Sequence, residues 1–311
     1  MLAKFHEGEL EVQRRAGVPS DVPLGKSLRT SIPAQVEPFL AELPFVVVAS
    51  VSLNGDVWAS LLSGQPGFLR ALDEHTIAIA AGIATHDPLF ANLSSGPGAP
   101  VGLLAIDLAT RRRVRLNGSA QLLGDDEVRV EVGEVFFNCP QYIQLRGLER
   151  VGQGAPLALV ETRRGTMLTQ EQVCAIAHAD TFFIASAHSS RGADASHRGG
   201  SPGFVRVESP RRLLFPDYSG NNMFQTLGNL VMNPRSGLLF VDFMRGSTLQ
   251  LAGAARVLWD DPRLPQFPGA LRLVEFEIAE VVQAREAIEW RGDVLQYSPV
   301  NPPAPSALPE P

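Results

Sequence analysis

Cysteine is scarce in this chain. Cys139 and Cys174 are the two cysteines among 311 residues, and they lack CxxC spacing. A chain of this length buries enough surface to fold without covalent staples, so a disulfide-rich secreted scaffold is excluded. We expect reduced thiols. For Cys139, which precedes a proline, a reactive thiol near a cofactor is one interpretation, and a buried inert thiol is the simpler one that we adopt.

Long apolar runs and an excess of basic charge are also missing. No stretch approaches the roughly 20 apolar residues that a membrane span needs, and the charged amino terminus has no signal-peptide core. We therefore expect a cytoplasmic protein that does not contact a membrane. The net charge of −6 argues against nucleic-acid binding, which needs a clustered basic surface. The basic run Arg111 to Arg113, with Arg115, is predicted to be a solvated strand edge or turn, with a local anion contact as the alternative.

What the chain does contain is an internal duplication. The stretch "ASLLSGQPGFLRA" (59–71) shares its frame with "ASHRGGSPGFVRV" (195–207), and "GLLAID" (102–107) matches "GLLFVD" (237–242). Further matches upstream and downstream keep nearly the same separation, so one unit has been used twice. We expect the two units to pack about a pseudo-twofold axis, where ligand sites are common.

Each unit has the pattern of an antiparallel β-barrel or sandwich, because its short apolar runs are separated by Gly, Pro, Asn or Asp. In the second unit a helix over 221–234, capped by Ser219 or Asn221, interrupts the strands, and "HDPLFANLSSG" predicts a shorter helix in the first. The predicted strands of the second unit lie near 181–188, 193–197, 203–208, 211–216, 236–243, 247–259 and 271–282.

The chain divides into five segments on this interpretation. They are a helical or extended amino-terminal segment (1–40), the first unit (41–125), a connection that is partly helical around "CPQYIQLRGLERV" (126–175), the second unit (176–295), and a Pro-rich tail (296–311) that is extended or disordered.

The second unit differs from the first in two polar stretches. Asp194, Ser196, His197, Arg198 and Gly199-Gly200 stand at a strand end where the first unit has Leu61 and Leu62, and "FPDYSGNN" (215–222) leads into the predicted helix. A helix start attracts phosphate, and an arginine adds a charge-assisted contact, so together the stretches predict a phosphate cradle. Taken singly, each has a simpler interpretation, as an exposed hairpin tip and as a helix cap.

Three histidines allow a different kind of site. His178, His188 and His197 could converge on a metal or haem, although their spacing matches no compact ligand motif. We predict no metal site. No catalytic Ser-His-Asp or paired-carboxylate arrangement stands out either, so the catalytic residues stay unknown.

Several long motifs in this chain resemble the pyridoxamine 5′-phosphate oxidase-like family of flavin-binding split barrels, in particular a long subgroup with two units. The motifs are "FHEGE" (5–9), "RRRVRLNG" (111–118), "NCPQYIQ" (138–144), "ADTFFIASAH" (179–188), "GADASHRGGSPGFVRV" (192–207), "FPDYSGNNMFQTLGNL" (215–230) and "NPRSGLLFVDF" (233–243).

The resemblance implies a mainly β protein of two tandem six-stranded antiparallel split barrels, packed as a pseudo-dimer, with FMN between the units. It also implies the residues that hold FMN: Ser196, His197, Arg198, Gly199, Asp217, Tyr218, Ser219, Asn221 and Asn222. The family's Ser-Arg-Lys at the helix start is Gly220-Asn221-Asn222 here, and its carboxy-terminal substrate pattern is absent, so pyridoxamine phosphate is not the expected substrate.

The implied function is an FMN-dependent oxidoreductase that moves hydride or electrons through flavin N5, with the protein supplying position and electrostatics. The substrate and the electron donor are unknown small molecules. A flavin-binding carrier or sensor without turnover, and a haem- or metal-binding barrel, are the alternatives. We expect one FMN per chain, and the sequence leaves open whether two chains form a homodimer.

Overall fold

The structure analysed is a computed structural model, which describes residues 5–19, 21–22, 24–124, 126–152 and 160–303. Helix α1 (Glu7–Arg15) comes first, followed by a 3-10 turn (Leu24–Ser27) and α2 (Val36–Glu42). A capping box begins α1, because the His6 ring accepts a hydrogen bond from the Gly8 amide and the Glu9 carboxylate accepts one from the His6 amide.

The first unit is a seven-stranded antiparallel sheet with one helix. Its elements are β1 (Phe45–Val51), β2 (Val57–Ser63), β3 (Leu69–Ala71), β4 (Thr76–Ala80), α3 (Pro88–Ser94), β5 (Ala99–Asp107), β6 (Arg112–Leu123) and β7 (Glu127–Phe137). The strand order is β2-β1-β5-β6-β7-β4-β3. Because β7 pairs with both β6 and β4, the sheet extends past the boundary that we predicted at residue 125.

The connection between the units contains short strands where we predicted a helix. These are β8 (Leu145–Arg146), β9 (Glu149–Arg150) and β10 (Thr162–Gly165), followed by α4 (Gln170–His178). The helical interpretation of "CPQYIQLRGLERV" is wrong: Pro140 has no amide hydrogen to donate, and Tyr142 has a left-handed backbone with φ of 64°.

The second unit repeats the architecture of the first. Its elements are β11 (Thr181–His188), β12 (Gly192–Gly199), β13 (Arg206–Ser209), β14 (Arg212–Asp217), α5 (Gln225–Met232), β15 (Arg235–Asp242), β16 (Ser247–Leu258), a 3-10 turn (Leu264–Gln266) and β17 (Arg272–Ala284). The strand order is β12-β11-β15-β16-β17-β14-β13, which matches the first sheet strand for strand, and β10 adds to β17. Strands β18 (Trp290–Arg291) and β19 (Val294–Gln296) then pair with β9 and β8.

The predicted fold class is confirmed, with seven strands in each sheet path where we expected six. The short β3 and β13 supply the additional strand, each paired with the strand that follows it. Even a local irregularity is duplicated, since β6 shifts register between Asn117 and Gly118 and β16 shifts between Ala252 and Gly253. Among the described residues, no helix is both long enough and apolar enough to cross a membrane.

The two units pack face to face through β1, β2 and β5 of one and β11, β12 and β15 of the other. Buried apolar side chains from both units, including Phe45 and Phe183, share one core cluster there. The contact is reciprocal: a Cβ on Gly102 would lie 2.5 Å from Cα of Asp194, and one on Gly237 would lie 2.8 Å from Cα of Trp58. This reciprocity is the pseudo-twofold packing that the duplication predicts.

Candidate functional site

A cavity of about 110 Å³ lies at the boundary between the two units. The second unit contributes the end of β12, the end of β14, and the loop that leads into α5. The first unit contributes β6, and the connection contributes residues 138, 139, 141 and 142. The site is therefore built from both copies of the duplicated unit.

All nine residues predicted to hold the cofactor line this one cavity. They are Ser196, His197, Arg198, Gly199, Asp217, Tyr218, Ser219, Asn221 and Asn222. Two stretches that are well separated in the chain are thus brought together. Their role in binding FMN stays a prediction.

Asp217 orients two arginines beside the cavity. Its Oδ1 accepts a hydrogen bond of 2.5 Å from Nη1 of Arg198, and its Oδ2 lies 3.5 Å from Nε of Arg272. The carboxylate is buried, so this interaction is screened little by solvent. Nε of Arg198, and Nε and Nη1 of Arg272, are buried without a hydrogen-bond partner. Asp217 therefore positions the Arg198 guanidinium in the cavity wall, where its Nε is available to a ligand.

His197 is a neutral group in the cavity wall. Burial lowers the pKa of its imidazole well below the ordinary value, and the charges of Arg113, Arg198 and Arg146 lower it further. Its Nε2 is buried without a hydrogen-bond partner, and its ring packs against the edge of Phe183. The imidazole can thus offer a hydrogen bond to a ligand without adding a charge.

Gly199 permits the connection to close over the end of β12. A Cβ at this position would lie 2.0 Å from the carbonyl oxygen of Tyr142. The Tyr142 ring in turn lies 5.2 Å from the ring of Tyr218, and its hydroxyl donates a 3.0 Å hydrogen bond to the Ser219 carbonyl. The two tyrosines form an aromatic wall of the cavity.

Helix α5 begins later than we predicted. Asn222 and Phe224 have φ of 59° and 60°, and this left-handed backbone delays the helix to Gln225. The prediction that Ser219 or Asn221 caps the helix is therefore wrong: no side chain caps α5, and Oδ1 of Asn221 accepts a hydrogen bond from the Met223 amide within the loop. The first helical residues, Gln225 to Leu227, line the cavity in addition to the loop.

The sequence analysis missed two arginines of the first unit. Arg113 and Arg115 alternate along β6 and line the cavity, so our prediction of a solvated strand edge is wrong for both. Arg115 is 4% exposed and forms a buried ion pair with Asp194 across the unit boundary. Arg113 donates a 2.5 Å hydrogen bond to the carbonyl oxygen of Cys139. Their alternation in "RRRVR", which places both on one strand face, was the signal that could have found them.

Cys139 also lines the cavity, and it is exposed. The interpretation as a buried inert thiol is therefore wrong, because the turn at residues 138 to 142 forms part of the cavity edge. Cys174 is exposed on α4, and both cysteines are free, as expected.

The cavity carries excess positive charge. Three arginines line it, Arg113, Arg115 and Arg198. Asp194 pairs with Arg115 and Asp217 pairs with Arg198, which leaves the charge of Arg113. In the part of the chain that the structure describes, no carboxylate pairs with Arg113. Burial, then the neighbouring Arg115 and Arg198, lowers the Arg113 pKa to about 9. A phosphate monoester carries roughly −1.5 to −2 charges and three acceptor oxygens, so it can pair with Arg113 and accept hydrogen bonds from the unpartnered donors.

The three histidines that could have formed a metal site do not converge. His197 lines the cavity, His178 bonds to the Cys174 carbonyl on α4, and His188 stacks on His6. His6, Glu7 and His188 do lie together, but Nδ1 of each histidine already accepts a backbone amide, and Nε2 of His6 bonds to Asn229. The protein itself satisfies these groups, which gives no support to a metal there.

Comparison with known proteins finds one family. The family model described as pyridoxamine 5′-phosphate oxidase matches residues 32–147 and again residues 168–293. No curated protein matches the chain.

Solved structures of similar proteins align with about two fifths of the chain. Group A Streptococcus HupZ is 12% identical and covers 42% of this chain and 98% of its own, with a TM-score of 0.31. A putative pyridoxamine 5′-phosphate oxidase from Lactobacillus delbrueckii is 20% identical and covers 38% and 94%, with a TM-score of 0.32. An FAD binding protein from Mycobacterium smegmatis is 15% identical and covers 39% and 99%, with a TM-score of 0.28.

Proposed function

Because the chain belongs to the pyridoxamine 5′-phosphate oxidase family, we propose that it is an FMN-dependent oxidoreductase acting on a small molecule. The observation that carries the proposal is the cavity between the units, where Arg113 has no carboxylate partner and Nε of Arg113, Nε of Arg198 and Nε2 of His197 have no hydrogen-bond partner among the described residues. A terminal phosphate monoester supplies both the negative charge and the hydrogen-bond acceptors. FMN ends in such a group, whereas the phosphates of FAD are internal diesters with less charge on each.

Each part of the cavity has a task in this proposal. Arg113 and Arg198 bind the phosphate from opposite units, and Asp217 holds the guanidinium of Arg198 in place. The Asn221 and Asn222 loop and the start of α5 add neutral donors. The wall formed by Tyr142 and Tyr218 excludes water from one side of the bound ligand. The flavin, when bound, supplies the hydride and electron chemistry.

Proton transfer is not the task of the described cavity residues. His197 is held neutral, Asp217 is committed to two arginines, and burial raises the pKa of Tyr218 far above its ordinary value. We therefore assign no proton transfer to His197, Asp217 or Tyr218, which is compatible with hydride transfer and with a flavin carrier that has no turnover. The substrate and the electron donor are not specified by these residues.

The test is spectroscopic. The purified protein is denatured, the released cofactor is identified as FMN or FAD by chromatography, and the apoprotein is titrated with FMN. We expect FMN at one equivalent per chain, because Leu61 and Leu62 replace His197 and Arg198 in the first unit. Released FAD, or no affinity for FMN, would contradict the cofactor, and saturation at two equivalents would contradict the single site.

A second measurement separates an enzyme from a carrier. The FMN-loaded protein is mixed without oxygen with NADH, NADPH or a reduced deazaflavin, and the flavin absorbance is followed. Rapid bleaching by one donor supports an oxidoreductase. A flavin that none of them reduces would favour the carrier.

A further inference from the structure

A second cavity, of about 390 Å³, lies at the position that the pseudo-twofold axis makes equivalent to the first. On β2, Leu61 and Leu62 pair with Val47 and Val46 of β1. On β12, His197 and Arg198 pair with the matching Phe183 and Phe182 of β11. Leu61 and Leu62 thus occupy the places of the imidazole and the guanidinium, and both line the second cavity.

The wall opposite β2 also has neutral residues where the first cavity has charged ones. Thr248 and Gln250 line the second cavity from β16, at the positions that Arg113 and Arg115 occupy on β6. Both places therefore hold a cavity, but the strand arginines line only the first. Of the described residues that line the second cavity from β2 and β16, none is cationic, so a phosphate has no partner on these strands.

One half-buried carboxylate, Asp87, faces the second cavity. It caps the start of α3, and its three donors are neutral: the Ser60 hydroxyl at 2.5 Å, the Leu89 amide at 2.9 Å and the Gln250 amide at 3.2 Å. Two of these bonds go to Oδ1 and one goes to Oδ2, so Oδ2 retains room for another donor. Within the described part of the chain, no arginine or lysine forms an ion pair with Asp87. Desolvation accordingly raises the Asp87 pKa.

The rest of the second cavity suits a ligand with an apolar body. Leu61, Leu62, Ile83 and Ile288 supply aliphatic surface. At the edge, Glu286 and Glu289 outnumber Arg150, which pairs with Glu289. The potential of this cavity is therefore opposite in sign to that of the first.

We propose that the second cavity binds a small organic amine, whose ammonium group donates to Oδ2 of Asp87 and whose apolar body contacts Leu61 and Leu62. An ammonium supplies the counter-charge that this half-buried carboxylate lacks, and it does so without a covalent step. The proposal does not depend on FMN in the first cavity. One chain would then hold two ligands of opposite charge in two cavities of common origin.

The test uses three ligands of one shape on the full-length protein. Phenethylammonium, phenethyl alcohol and phenylacetate are titrated by calorimetry at neutral pH, with and without saturating FMN. We expect one equivalent of the amine to bind at least tenfold more tightly than the alcohol, and we expect no saturable binding of the carboxylate. Equal affinities for amine and alcohol, or binding of the carboxylate, would overturn the proposal.

Two further measurements locate the amine-binding site. The near-isosteric Asp87→Asn substitution should reduce amine affinity to that of the alcohol, and an unchanged affinity in a folded variant would exclude Asp87. Saturating FMN should leave amine binding unchanged, because the cavities are separate. Displacement of the amine by FMN would place it in the first cavity and refute the proposal, whereas a protein that ignores FMN but binds the amine would refute only the cofactor assignment.

Discussion

At the scale of single residues, Arg198 is the side chain on which the proposed phosphate site depends most directly. Its Nη1 is bonded to Asp217, and its Nε has no partner. We predict that Arg198→Ala lowers FMN affinity at least tenfold, about 1.4 kcal/mol, the scale of a charge-assisted contact. FMN fluorescence quenching measures the affinity. Arg212→Ala, which removes an exposed arginine from the same sheet, is the control and should bind FMN normally.

Replacing Arg113 should change stability and ligand affinity in opposite directions. Arg113 is half-buried and has no carboxylate partner among the described residues, and such a cation destabilises the free protein but favours a bound anion. We therefore expect Arg113→Met to raise the melting temperature of the apoprotein by a few degrees, about 1–2 kcal/mol, and to weaken FMN binding at least tenfold.

The matched control for Arg113 is Arg115, two residues along the same strand. Arg115 is paired with buried Asp194, so Arg115→Met should lower the apoprotein melting temperature. Calorimetry of each variant without and with FMN measures the apoprotein melting temperature and the FMN affinity. A lower apoprotein melting temperature for Arg113→Met would show that its guanidinium serves the fold.

At the scale of elements, α1 carries a pair of buried groups whose titrations oppose each other. Burial raises the pKa of Glu9 from 4.5 to about 7, whereas burial and the nearby His188 lower the pKa of His6 from 6.5 to about 4. The folded state therefore holds the Glu9 proton more tightly than the unfolded chain, and this contribution to stability falls as pH rises from 4.5 to 7. The His6 contribution rises with pH between 4 and 6.5.

Replacing Glu9 by Gln should expose the His6 contribution alone. Gln keeps the acceptor of the capping box but cannot ionise. We expect Glu9→Gln to gain stability relative to the unmodified protein as pH rises from 4.5 to 7, and to exceed it at pH 8 by up to about 3 kcal/mol. Chemical denaturation across this pH range measures it, with exposed Glu11→Gln as the control. Parallel curves for the Glu9 variant and the unmodified protein would contradict the prediction.

The strands and helices show what the sequence analysis could predict. Short apolar runs bounded by Gly, Pro, Asn or Asp identified β11 to β17 closely, because strands of a packed sheet are apolar and the turns between them are not. The start of α5 was misplaced, because the backbone at Asn222 and Phe224 is left-handed, and propensity does not reveal that in non-glycine residues. Arg113 and Arg115 were misjudged because their partners, the Cys139 carbonyl of the connection and Asp194 of the other unit, are distant in the chain.

At the scale of the whole molecule, two glycines let the units approach each other. A Cβ on Gly102 or Gly237 would meet the backbone of the opposite unit at 2.5 or 2.6 Å. We predict that Gly102→Ala and Gly237→Ala each destabilise the protein by at least about 2 kcal/mol. Gly133→Ala in β7, where a Cβ meets nothing within 4 Å, should be close to neutral. Similar melting temperatures for all three variants would show that the units separate easily.

The register equivalence of Leu62 with Arg198 has a consequence for how the protein can change. In a dimer of identical subunits, the same codons encode both cavities, so a substitution in one cavity also occurs in the other. Here both units belong to one chain, and each cavity is encoded by its own codons. Because one chain contains both units, they are always present in equal number, and dilution cannot separate them.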